Sequence, residues 1–205
     1  MPIASLFATR VYKGRFAPKV REGLNEKLLR ECRQLRLDDA AGRRWSVANY
    51  PGGYTSYASA NRMQAMSPTF AQLERLLSPH VSRLIRDLAL DLRGRKLSMT
   101  DCWVNIMPRL LAHGSHLHPL STLSGTYYVQ TPAGSPGLKF EDPRLAQMMA
   151  SPPRKAGAPA RSQTWVVMPA EAGGFFVYES WLRHEVAANT GRGDRISISF
   201  NYSWF

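Results

Sequence analysis

From Val20 the apolar positions return every three or four residues, at Leu24, Leu28, Cys32 and Leu35, the spacing of a helix that buries one stripe. Pro18 can open such a helix, since a first-turn residue needs no N–H partner. A second helical pattern starts at Ser67-Pro68 and carries Phe70, Leu73, Leu77, Val81, Leu84 and Leu88 along one face for about six turns. Pro79 lies inside it, which predicts a kink or a restart capped by Ser78; His80, next in the chain, reads as a surface residue. Ahead of both helices, residues 5–12 read as a strand.

From Leu97 the period falls to two and turn residues break the chain often. Strands are expected over residues 98–107, 116–118, 123–131, 137–141, 164–168, 174–178, 184–188 and 195–204. Eight short strands after two helices predict a mainly β fold, a double-stranded β-helix or jelly roll, with the N-terminal helices packed on one sheet. We expect one domain over residues 1–205, with the N-terminal strand and helices in 1–96 and the barrel core in 97–205. The Pro-rich, basic stretch 143–163 is too long for a plain connection and is expected to be a lid. Residues 49–57 combine turn residues with tyrosines; Tyr54 is a candidate cavity residue, although a buried loop with satisfied hydroxyls is the plainer reading.

Charge alters this picture more than composition does. Lys and Arg number 27 against 15 Asp and Glu, a net +12, so acidic partners are favoured. The basic residues are scattered, clustering only at Arg43-Arg44, Arg93 to Lys96 and Arg154-Lys155, and no nucleic-acid-binding motif accompanies them. A solvated surface is therefore preferred to a nucleic-acid groove. No stretch approaches the roughly 20 apolar residues of a membrane span, and the first ten residues lack the pattern of a secretion signal. Cys32 and Cys102 read as buried free thiols, as a reducing compartment allows, and the expected location is the cytoplasm. Folding alone or as a homodimer fits the length.

The candidate chemistry lies in three of the five histidines. His116 and His118, two apart on an extended segment, project to one face, and His184 lies on a later strand that one sheet could bring alongside. Neutral imidazoles are common ligands of Fe(II), Zn and Cu, and three of them leave coordination positions open. The plain alternative is a surface His-x-His before Pro119, with His184 paired to Glu185.

Further motifs accompany them: Trp103-Val-Asn-Ile106, His116-Leu-His118-Pro119, Ser124-Gly-Thr-Tyr-Tyr-Val129, Gly137 to Arg144, Pro169 with Gly173, Ser180-Trp-Leu-Arg-His184 with Asn189, and Arg195 to Asn201. With Leu6-Phe-Ala-Thr9 and Gly53 to Tyr57, they make nearly the whole chain resemble the 2-oxoglutarate- and Fe(II)-dependent oxygenases of bacteria and phages. The resemblance implies Fe(II), the co-substrate 2-oxoglutarate and O2, with His116, His118 and His184 as metal ligands. It implies Arg195, eleven residues after His184, as the clamp on the distal carboxylate of 2-oxoglutarate, aided by Ser197 two residues on. Asn105 and Tyr127 stand where related barrels hydrogen-bond that co-substrate. Arg144, Tyr54 and Trp181 are candidates for contact with the substrate, Arg144 reading equally as a cap on the lid loop and Trp181 more readily as barrel packing.

His118 departs from the superfamily pattern, which has Asp or Glu there. A variant site similar to that of halogenating relatives would keep His116 and His184 and leave the third position to water or chloride. The implied activity is hydroxylation of a C–H bond in a small-molecule, carrier-borne or peptide-borne substrate, possible acidity following from the charge. Two other classes stay open: a cupin-like three-His metal protein without 2-oxoglutarate chemistry, and a basic nucleic-acid-binding module.

Overall fold

The structure is a computed structural model and describes residues 3, 4 and 6–204. In chain order its elements are β1 (Val11–Arg15), α1 (Pro18–Asp38), α2 (Ala40–Asn49), β2 (Tyr54–Thr55), α3 (Met63–Met66), α4 (Pro68–Asp87), β3 (Ser98–Met107), β4 (His113–His116), β5 (Leu123–Gln130), β6 (Leu138–Glu141), β7 (Trp165–Met168), β8 (Gly174–Glu179), β9 (His184–Val186) and β10 (Arg195–Ser203). The strands form a large sheet of order β1-β8-β5-β10-β3-β2 and a small sheet of order β4-β9-β6-β7. Neighbouring strands are antiparallel throughout. Two antiparallel sheets under a helical layer are the mainly β jelly roll that the period-two pattern predicts.

Alternation along the strands gives the large sheet two different faces. One face carries Val104, Ile106, Val129, Val177, Ile198 and Phe200 into a single cluster with Leu28 and Cys32 of α1 and Phe70, Leu73 and Leu77 of α4. Each such fully buried side chain contributes roughly 1.5–3 kcal/mol, so this layer anchors the sheet. The other face carries Met107, Tyr128, Phe176 and Tyr178 against Leu138, Phe140 and Val186 of the small sheet and against Leu182. At Gly125 in β5 an added Cβ would run into the Phe176 carbonyl oxygen and the Phe200 ring across the sheet, which accounts for a glycine among large residues.

Several expectations are corrected. The first strand is Val11–Arg15 rather than 5–12, and Ser5 lies outside the described residues. The second helical pattern is one helix that runs through Pro79 with no restart at Ser78; it starts as expected at Ser67, whose side chain accepts from the Thr69 N–H. The sequence reading missed α2 because Ala-Ala-Gly-Arg-Arg-Trp-Ser has no apolar period; a local cap starts it, Asp39 accepting from the Gly42 N–H at 2.8 Å. His80 is not a free surface residue: its Nδ1 is 2.7 Å from the Tyr12 hydroxyl, and its ring stands edge-on to Phe175.

Candidate metal centre

The small sheet supplies two of the three histidines. His116 at the end of β4 pairs directly with His184 at the start of β9, a register that follows an irregularity in β4 between His113 and His116. The strand therefore ends at His116 instead of running through 116–118. His118 lies just beyond, fixed by its backbone N–H donating to the Ser180 carbonyl at 3.0 Å. One ring nitrogen from each of His116, His118 and His184 lies within 4.8 Å of the others. Nitrogens that close can share one ion.

Hydrogen bonds select which nitrogens those are. His116 Nδ1 is 2.8 Å from the Gly114 carbonyl oxygen, His184 Nδ1 is 2.9 Å from that of Leu182, and His118 Nδ1 is 2.7 Å from Asn201 Oδ1. Oxygens can only accept here, so each Nδ1 carries the proton and each Nε2 keeps its lone pair. Asn201 is itself oriented, accepting from the Ser124 hydroxyl at 2.8 Å and donating to Asp101. Outer partners of this kind fix the ring and raise its basicity toward a metal. Burial holds all three imidazoles below their ordinary pKa, His118 at about 4 and His184 at about 3; neighbouring imidazoles add to the effect at His118 and His184, and the Arg183 charge does so at His116. At neutral pH all three are uncharged, as ligands must be.

Arg195, at the start of β10, closes the far end of the cavity. It is 4% exposed, and its ring contact is Tyr128, 5.0 Å from the guanidinium carbon. Nε donates to the Pro136 carbonyl at 3.2 Å, and one terminal nitrogen donates weakly to Ser197 Oγ at 3.4 Å. No carboxylate pairs with it among the described residues, which is costly for a buried charge unless an anion completes the site. Nearby, Asn105 Oδ1 and the Tyr128 hydroxyl are buried without a hydrogen-bond partner. Asn105 and Ser197 both line the cavity with the histidines.

Other predicted site residues lie elsewhere. Tyr127 faces the helices: its hydroxyl donates to Asn25 Oδ1 of α1 and its ring packs on Phe16. Its neighbour Tyr128 is the one between the sheets, because consecutive strand residues point opposite ways. Tyr54 belongs to the helix-side core and donates to Asp39 Oδ2. Trp181 is 46% exposed and does not line the cavity. Arg144 is held by Asp142 through two short contacts and borders a separate groove of about 610 Å³, between residues 4, 6–9 and 11 and the strands β6 and β7. The ends of the 143–163 stretch line that groove, and none of its described residues lines the histidine cavity.

Four further residues belong to the site, and of them only Tyr50 lies in a segment, 49–57, that the sequence marks as a candidate cavity lining. His113 stacks on His116 at 4.7 Å and Tyr50 lies 5.2 Å from His113, both on the cavity wall. Asn201 and Tyr178 contact the His118 and His184 rings directly. Strand parity with Arg195 would have placed Asn201, since β10 reads Arg-Ile-Ser-Ile-Ser-Phe-Asn and every second residue faces inward. Tyr50 reaches the site from the end of α2; it lies in the tyrosine-bearing segment 49–57, whose named candidate, Tyr54, is in the helix-side core instead.

Comparison with known proteins adds three findings. Residues 101–201 match the family described as "Putative 2OG-Fe(II) oxygenase". No curated protein matches the chain. Among solved structures, the epimerase SnoN in complex with Fe3+, alpha ketoglutarate and nogalamycin RO is 17% identical, with a TM-score of 0.62 over 95% of this chain and 79% of that one. A Pseudomonas putida prolyl-4-hydroxylase is 14% identical, with a TM-score of 0.60 over 95% and 93%. HygX from Streptomyces hygroscopicus, with nickel, 2-oxoglutarate and hygromycin B bound, is 17% identical, with a TM-score of 0.56 over 94% and 81%. At such identities the likeness establishes the fold.

Proposed function

Residues 101–201, which include the three histidines and Arg195, belong to the 2OG-Fe(II) oxygenases, and on that premise we propose that His116, His118 and His184 hold the Fe(II) of a dioxygenase that hydroxylates a C–H bond. The protein is a 2-oxoglutarate-dependent oxidoreductase, a family that uses Fe(II), 2-oxoglutarate and O2. When bound, the metal and co-substrate supply the oxidising chemistry, in which 2-oxoglutarate becomes succinate and CO2 as O2 is reduced.

The observation that carries this reading is a set of three imidazoles, each with Nδ1 committed to an oxygen, facing a cavity that ends on a buried guanidinium lacking a carboxylate. Three neutral ligands leave both positive charges of the ion uncompensated; a dianionic co-substrate would set one carboxylate against the ion and give Arg195 the other as its anion. Arg195 with Ser197 would take the distal carboxylate, and the unpartnered Tyr128 hydroxyl offers a further hydrogen bond; Asn105 Oδ1 only accepts and is left for a donor such as a water or a substrate hydroxyl. The cavity, about 40 Å³, has room for an ion and a water or two, so 2-oxoglutarate enters as lining side chains part. A cupin-like protein without 2-oxoglutarate chemistry gives Arg195 no such role.

The substrate we infer is a small molecule or a carrier-borne or peptide-borne group, with acidic character favoured by the net charge of +12. Solved structures of this fold include both an epimerase and a prolyl-4-hydroxylase, so hydroxylation is the outcome proposed on the site's chemistry. No helix among the described residues is long and apolar enough to cross a membrane.

Anaerobic titration with Fe(II) and then 2-oxoglutarate tests the reading. The expected result is the weak visible charge-transfer band of a metal-chelated 2-oxo acid; wild-type protein that binds Fe(II) and shows no band is not an oxygenase of this kind. His118→Ala should abolish iron binding, whereas a site with two histidines and chloride would retain it.

A further inference from the structure

Tyr178 has no part in the assignment above, yet its hydroxyl lies 3.1 Å from His184 Nε2, on the lone pair left facing the cavity by the Nδ1 bond to Leu182. The phenol is 2% exposed, edge-on to Phe140 with ring centroids 5.0 Å apart. Packing on that scale leaves the ring little freedom. No second hydrogen-bond partner of the hydroxyl is found among the described residues. A metal bound to Nε2 sits about 2.1 Å from it and takes the lone pair on which the O–H now rests. A buried hydroxyl deprived of its acceptor costs about 1–3 kcal/mol, and the acceptors within reach are then the oxygens carried by the ion.

We propose that Tyr178 is a co-substrate-binding residue whose phenol O–H donates to a metal-bound oxygen of 2-oxoglutarate; this rests on the oxygenase reading. A phenol keeps its proton at neutral pH and so is a donor, not a charged ligand. Arg195 holds the distal carboxylate at one end of the cavity, and Tyr178 orients the chelating end at the other. An acceptor that carries charge makes such a bond worth more than an ordinary one.

The test uses Tyr178→Phe, which keeps the ring packing and removes only the hydroxyl. Wild-type and variant proteins are loaded with Ni(II), then titrated with 2-oxoglutarate by calorimetry; their anaerobic Fe(II) complexes are compared by absorption. Unfolding midpoints are measured on the same samples. The variant is expected to bind Ni(II) as tightly as wild type, to bind 2-oxoglutarate about tenfold more weakly, and to shift the charge-transfer band. Unchanged 2-oxoglutarate affinity with an unshifted band overturns the inference alone. Loss of Ni(II) binding in a folded variant also overturns it, because the phenol would then be a ligand. If wild-type protein fails to bind 2-oxoglutarate at all, the oxygenase reading falls and takes this inference with it.

Discussion

Consecutive residues of β10 do opposite jobs. Ile196, Ile198 and Phe200 are fully buried among the helices, whereas Arg195, Ser197 and Asn201, on the alternate positions, are buried between the sheets beside the histidines. On the helix side, volume and apolarity are enough: a methylene more or less changes stability and little else. On the inner side each polar group must find a partner, and several find theirs only in one another or have none. Stability and chemistry are thus separated by one step along a strand, and the helical layer lets the inner face carry desolvated polar groups that would otherwise weaken the fold.

The largest contrast is between Phe200→Ala and His184→Ala. Phe200 is fully buried, and its removal should destabilise the protein by about 3–5 kcal/mol while leaving metal affinity intact in whatever fraction folds. His184→Ala loses two hydrogen bonds and leaves the buried Tyr178 hydroxyl without its acceptor, so stability in the presence of a chelator should fall by about 1–3 kcal/mol. Metal affinity should fall beyond detection. Urea unfolding with a chelator, beside Ni(II) titration, measures both. Retained metal binding in His184→Ala would break the division between the two faces at its centre.

That same alternation decided what could be read in advance. The strand periods, the His-x-His pair with His184, and Arg195 with Ser197 are local patterns, and β3 runs over the expected 98–107. Tyr127 and Tyr128 show the limit. Parity says that one of two adjacent strand residues faces inward, but only the position of α1, with Asn25 waiting for a hydroxyl, says which. Tyr50 and His113 needed knowledge of how α2 and an irregular β4 lie against the barrel, which depends on contacts between segments far apart in sequence. Arg144 reads equally as a substrate contact or a cap on the lid loop, and a motif fixes order along the chain but not which of two cavities a loop borders.

Asn201→Ala against Ile198→Val sharpens the comparison at intermediate strength. Asn201 Oδ1 holds His118 in the tautomer that leaves Nε2 free. Without it the ring can turn or move its proton, and metal affinity should fall by about 10–100-fold. Ile198→Val, one turn of the alternation away and fully buried, should cost about 0.5–1.5 kcal/mol of stability at unchanged metal affinity. Metal titration and urea unfolding on both variants decide it. An Asn201→Ala protein with wild-type metal affinity would mean that the His118 ring is set by packing, including the Trp103 ring 5.6 Å away.

The finest test uses two adjacent tyrosines and one atom each. Tyr127→Phe removes a hydroxyl that donates to Asn25 and ties the large sheet to α1, so it should lower stability by about 1 kcal/mol and leave 2-oxoglutarate binding unchanged. Tyr128→Phe removes a hydroxyl that is buried with no protein partner, so the same substitution one residue later should leave stability equal or slightly higher. Its effect should be on 2-oxoglutarate, weakened several-fold because the hydroxyl beside Arg195 no longer donates to the distal carboxylate. Calorimetric titration of the Ni(II)-loaded variants and their urea midpoints give the two signs independently. If Tyr127→Phe weakened the co-substrate and Tyr128→Phe weakened the fold, the inner and outer faces of the sheet would have been exchanged, and with them the place assigned to Arg195.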